Sequence, residues 1–241
     1  MTDGFDRSLP IRLQVPVYGV ALFSNSIPDL VLVVLGLWLV ELKTPLLMIG
    51  ILAGLRYVGP LLFAIHGGAM MDRIGTRRVL IVTALAMLAF PLFYPVAPWI
   101  AAIMALQLVC GLADSLGWVG AQTLTGQVLR GSPTYTGRLV FATRVGTFAG
   151  PPLAGGAWDL FGPWGGFAAL SLWGGGLLYS VMALPKDVLS VPTDHPQSII
   201  KSVKPRLVDY IEAFKLFALP LMALVLAMTI IRQFGSGMQS A

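Results

Sequence analysis

Apolar runs of about 20 residues or more, separated by short polar joins, occupy most of the chain. Six such windows lie at about 15–40, 45–69, 79–98, 99–127, 139–160 and 164–184. Each is long enough for a helix to cross the roughly 30 Å hydrocarbon core of a bilayer. Membrane-spanning strands would show alternating segments of about ten residues, whereas these runs are continuous and rich in Leu, Ala, Val and Gly. The prediction is an all-α, polytopic membrane helical bundle over 1–184. A polar stretch from Pro185 to Arg206, followed by the short amphipathic segment 207–215, reads as a linker outside the membrane. A further apolar run at 216–241, interrupted by Arg232, reads as the start of a seventh helix that the sequence does not complete.

Composition agrees with the pattern. Hydrophobic residues make up 56% and charged residues 11%, about half the charge a soluble domain carries and the reverse of a disordered chain. The net charge of +5 would suit nucleic acid, but the charges fall in the joins, so no nucleic-acid partner is expected. Arg7, Arg12, Arg73, Arg77, Arg78, Arg130, Arg138, Lys186, Lys201, Lys204, Arg206 and Lys215 share one side, and Lys43 stands alone on the other. The excess of Lys and Arg marks that side, with the N-terminus and the linker, as cytoplasmic. The first apolar run is too long for a signal-peptide core. One cysteine, Cys110, and two distant histidines, His66 and His195, offer no material for a disulfide framework, a metal site or a cofactor.

The join after the second window reads Gly68-Ala69-Met70-Met71-Asp72-Arg73-Ile74-Gly75-Thr76-Arg77-Arg78. Gly68 would let helices approach, Gly75 permits a tight reversal, Asp72 can accept from helix N-termini or arginines, and Arg73, Arg77 and Arg78 suit anionic headgroups. An ordinary positively charged loop would need neither the Asp nor the Gly at fixed spacing. This G-x-x-x-D-R-x-G-x-R-R pattern resembles the signature loop of the major facilitator superfamily. The resemblance implies a gating role for Gly68, Asp72, Arg73, Gly75, Arg77 and Arg78. Six windows, the linker and the opening of a seventh helix suggest a chain built as two six-helix halves, of which this is the N-terminal one, with the C-terminal half missing. Such repeats are common in secondary transporters, and 15–30 and 219–241 share a polar, Gly/Pro-interrupted design.

The fifth window carries Gly137, Gly146, Gly150, Pro151 and Gly155-Gly156, which looks like the antiporter signature of the same family, with Ala154 in place of its first closing glycine. Gly146, Gly150 and Ala154 stand four apart and form one smooth helix face. The alternative is plain small-residue packing without bearing on transport direction.

Ionisable residues within the membrane are functional candidates by default. Asp29, Arg56, Asp114 and Arg144 fall inside the windows. Asn25 shares a face with Asp29, and Pro28 leaves a backbone carbonyl unpaired, as in broken transporter helices. Gln107, Asp114, Trp118, Gln122 and Thr125 fall within about 80° on one helix, a polar stripe suited to a cavity. Gln107 stands where family drug transporters often carry an arginine, which puts the usual proton relay in doubt. The structural alternatives are a salt bridge of Arg56 with Asp29, a purely structural Asp114, and Arg144 acting only as an acid's partner. Trp118 could stack on a flat or cationic substrate.

The reading is a secondary transporter of a small solute, coupled to protons, tending to efflux or antiport, embedded in the lipid of a bacterial inner membrane. The alternatives are a non-transporting half-protein acting as sensor or scaffold, or a membrane enzyme. The last would need paired carboxylates or a Ser/His/Asp set near the surface, and the sequence places neither, so no enzyme activity is expected.

Overall fold

A computed structural model describes residues 9–129, 132–185 and 228. Regular structure among them is entirely helical: α1 (Ile11–Glu41), α2 (Leu46–Leu55), α3 (Val58–Ile74), α4 (Thr76–Ala89), a 3₁₀ turn at Phe90–Leu92, α5 (Phe93–Val96), α6 (Ile100–Leu129) and α7 (Pro133–Met182). Among the described residues, five helical stretches are long and apolar enough to cross a membrane. The linker and the run at 216–241 lie outside the described residues, apart from Met228.

Proline and glycine set most of the breaks. Pro10 and Pro45 precede α1 and α2 with φ of −59° and −58°, the pre-formed geometry of a helix start. Gly75, at φ 93°, separates α3 from α4, a conformation that only glycine adopts without strain. The second apolar window is not one straight helix. It breaks at Arg56–Tyr57, between α2 and α3, because Pro60 has no N–H for the Arg56 carbonyl and its ring crowds that same oxygen. Pro91 acts likewise on Met87, where α4 tightens into the 3₁₀ turn.

The 50 residues of α7 contain a reversal. Gly162 has φ 64° and ψ −154°, and Pro163 follows it as the first residue of the next arm. A methyl placed on Gly150 would lie 3.4 Å from the Trp173 ring, and one on Gly166 2.7 Å from Trp158. A continuous helix would hold Gly150 and Trp173 roughly 35 Å apart, so the two arms run antiparallel. Because that backbone region is open essentially to glycine alone, Gly162→Ala is expected to cost about 1–3 kcal/mol. The thermal unfolding midpoint of the detergent-purified protein checks this, and an unchanged midpoint would contradict the reversal.

Both arms of α7 pack on α1. A methyl on Gly146 would lie 2.6 Å from the Leu22 carbonyl, the side-chain nitrogen of Asn25 donates to Thr147 Oγ1 at 3.3 Å, and Trp173 Nε1 donates to Ser26 Oγ at 2.8 Å. Near the reversal, Trp38, Trp158, Phe167 and Tyr94 form one aromatic cluster, with Tyr94 stacked on Phe167 at 5.0 Å. Such pairs add about 0.5–1.5 kcal/mol beyond buried area. Many other large apolar side chains face outward, including Leu61, Phe148, Leu160 and Tyr179, as lipid contact requires.

Candidate functional site

The site grows from two irregular helices facing α6. In α1, Pro28 supplies no N–H to the Ser24 carbonyl. In the second span, the break at Arg56–Tyr57 turns the Arg56 side chain inward. Gly111 of α6 makes the approach possible: a methyl there would overlap the Arg56 carbonyl oxygen and lie 2.7 Å from its carbon. One turn further along α6, Asp114 Oδ2 meets Arg56 Nη2 at 3.2 Å. Arg56 is 5% and Asp114 9% exposed. Charges so buried are tolerated only as a pair, since each alone would carry a desolvation penalty of several kcal/mol.

Two clefts adjoin this pair. The larger, of about 290 Å³, is lined by Ser24, Asn25, Pro28, Arg56, Tyr57, Pro60, Gly111, Asp114, Ser115 and Trp118. The smaller, of about 160 Å³, runs along Asp29, Val31, Leu32, Leu35, Ile49 and Ala53 and also touches Gln107. Pro28, Arg56 and Tyr57 line both, so the arginine and its neighbours form the wall between a mixed polar cleft and a largely apolar one. Trp118 is 36% exposed at the edge of the first.

The structure thus brings together Asn25, Asp29, Arg56, Asp114 and Trp118. The ion pair of Arg56 is with Asp114 and not with Asp29, which is half-buried beside the smaller cleft. Gln107 departs from the expected stripe: it is 1% exposed, its Oε1 accepts from Tyr94 at 2.8 Å and its Nε2 donates to the Leu52 carbonyl at 3.1 Å. Gln122 is exposed, and Thr125 donates back to its own helix at Ala121. Arg144 is exposed on α7 and partners neither acid.

At the loop, Gly75 closes α3 with its N–H on the Met71 carbonyl at 2.9 Å. Arg77 Nη2 donates to the Met182 carbonyl in the last turn of α7 at 3.4 Å, a favourable end for a cation. Asp72 and Arg78 are exposed and Arg73 is half-buried. The close-approach role expected of Gly68 belongs to Gly67: a methyl on Gly67 would strike Leu116 of α6, whereas one on Gly68 meets open space. On α7, Gly146, Gly150 and Ala154 are buried, the two glycines against α1 and the facing arm; Gly137, Gly155 and Gly156 have room around them. Pro151 is half-buried between the two sets.

The sequence reading missed Tyr57, Ser24, Ser115 and Tyr94. Pro60, four residues after Arg56, was the available signal for the break that exposes Tyr57. Nothing in the pattern gave the other three a place at the site.

The family model for the Major Facilitator Superfamily matches residues 16–240. The chain belongs to that superfamily. No curated protein matches it. As a member of the Major Facilitator Superfamily, the protein is an integral membrane transporter, all-helical, with a small-molecule substrate and a lipid environment. Members of the superfamily are transporters rather than enzymes.

Proposed function

We propose that this protein performs secondary active transport of a small solute by alternating access, with a proton as the coupling ion and export by antiport as the direction. The buried Arg56–Asp114 pair between two clefts carries the reading. A proton taken by Asp114 would cancel its charge and release Arg56, and burial between helices makes the two states discrete rather than graded. Asp29, on the adjoining cleft, is the second proton-carrying candidate, and Trp118, Asn25 and Tyr57 are the groups placed to meet the solute.

In this reading a second six-helix bundle completes the path. Asn25, Asp29, Trp118 and Arg144 are polar or amphipathic and only partly covered, and such groups in a bilayer face protein or a wet cavity rather than lipid. The loop from Gly68 to Arg78 would serve as a gate at the cytoplasmic end, with the N-terminus on that side, in a bacterial inner membrane. The glycine face on α7 supports rocking of α7 against α1.

Everted vesicles carrying the full-length protein, monitored for solute-induced proton movement with a pH-sensitive dye across a panel of organic cations, anions and neutral solutes, test the proposal. Asp29→Asn is expected to reduce proton movement at least tenfold with expression unchanged; unaltered coupling in both Asp29→Asn and Asp114→Asn would overturn the assignment. Asp72→Asn is expected to slow cycling while the same solutes compete. A changed substrate profile in that variant would show that the loop is part of the binding site and not a gate.

A further inference from the structure

Gln107, Gly111 and Asp114 stand at spacings of four and three on α6, so they share one face over two turns. Each meets a different part of the broken span: the Leu52 carbonyl, the Arg56 backbone and the Arg56 guanidinium. Leu52 and Arg56 are themselves one turn apart, and the two helices run side by side in register. Leu52 belongs to the last turn of α2, where a helix end leaves carbonyls without intrahelical donors. The side chain of Gln107 supplies the missing donor.

The direction of the amide is fixed by chemistry. Leu52 offers a carbonyl that can only accept, so the NH₂ group must face it, and Oε1 must then face the hydroxyl of Tyr94. Tyr94 is held by its stack on Phe167 of α7. A methionine or leucine would fill the same volume without the penalty of burying an amide, so a polar group 1% exposed at this point calls for a reason beyond packing.

We propose that Gln107 is a positioning residue for the transport site. Its amide, oriented by Tyr94, holds the open end of α2 at Leu52 so that the chain breaks at Arg56 and delivers that side chain to Asp114. Phe167, Tyr94, Gln107 and Leu52 then form a continuous line from the α7 arm to the ion pair, so a shift of that arm is transmitted to Arg56. The inference rests on the reading of the Arg56–Asp114 cleft as the transport site, but its test requires no transport.

Ser115, half-buried, lines the larger cleft beside Asp114. In the full-length protein in nanodiscs, Ser115→Cys is reacted with a trimethylammonium-bearing and a sulfonate-bearing methanethiosulfonate. The unsubstituted chain, whose Cys110 is buried, supplies the blank. The ratio of the two rates reads the local charge. Adding Gln107→Met is expected to raise the cation-to-anion ratio by about tenfold, because Asp114 then faces the cleft without Arg56. Tyr94→Phe, which keeps the ring and its stack, is expected to move the ratio the same way by about threefold, and Asp114→Asn is expected to move it the opposite way. Should Gln107→Met not fold, Tyr94→Phe decides. An unchanged ratio in a variant that remains folded, with Asp114→Asn still responding, would overturn the positioning role while leaving the transport reading intact. Unaltered proton coupling in the Asp29 and Asp114 variants would instead remove the transport reading and leave this geometry standing.

Discussion

Asp114→Asn is expected to lower the unfolding midpoint of the detergent-purified protein by roughly 10 °C and to abolish coupled transport. The two effects have different origins. Arg56 is 5% exposed, and its guanidinium forms an ion pair with Asp114 Oδ2 at 3.2 Å. Removing one member of a buried pair leaves an uncompensated charge, which costs about 3–5 kcal/mol. Replacing both members, as Arg56→Leu with Asp114→Leu, removes the desolvation penalty of both charges, and such exchanges are often neutral or stabilising by about 1–4 kcal/mol. The double variant is therefore expected to regain the wild-type midpoint without regaining transport. If Asp114→Asn alone left the midpoint unchanged, the pair would have to be solvated and not buried between the helices. If the double variant transported, neither charge would serve the cycle.

Gly111→Ala is expected to be the second most damaging change, at about 3 kcal/mol, the upper part of the usual range for overpacking. Its methyl group would overlap the carbonyl oxygen of Arg56. Backbone cannot rotate away as a side-chain tip can, so α2 and α6 must separate, and Asp114, one turn along, is carried off with α6. Loss of stability and loss of transport should therefore appear together. Gly36→Ala and Gly50→Ala provide the contrast, since a methyl at either position meets nothing within 4 Å and alanine favours a helix over glycine by up to about 1 kcal/mol. Those two variants should match or exceed the wild-type midpoint. Equal losses at Gly36, Gly50 and Gly111 would show that the contact geometry at Arg56 is not what sets the stability.

The sequence made the class of fold legible because bilayer thickness imposes a length on every apolar run, and the membrane-crossing stretches fall where those runs lie. The signature loop was legible for a similar reason: Gly75 had to sit where the chain adopts φ 93°. Contacts between helices were less accessible. A helical wheel gives the direction of a side chain and not the identity of what it meets, so Gln107 and Asp114 fell on one stripe although one bonds a backbone carbonyl and the other an arginine. Four ionisable residues offered several pairings, and the choice of Asp114 for Arg56 depended on the glycine between Gln107 and Asp114 that lets α6 approach. Likewise Gly67 and Gly68 are adjacent in sequence and differ by about 100° around the helix, enough to place one against Leu116 and the other in open space. Local breaks were readable in principle from Pro60 and from Gly162-Pro163, since each acts on its own neighbours.

The partners of α1 have a consequence for biogenesis. Asn25 bonds a residue 122 positions downstream and Ser26 one 147 positions downstream. At roughly 5–20 residues per second of translation, α1 waits on the order of ten seconds for the helices that complete its polar contacts. During that interval Asn25, Ser26 and Asp29 must be accommodated by the insertion machinery or by the membrane interface. A nascent chain stalled before α7 thus holds Asn25 and Ser26 in the membrane without their α7 partners.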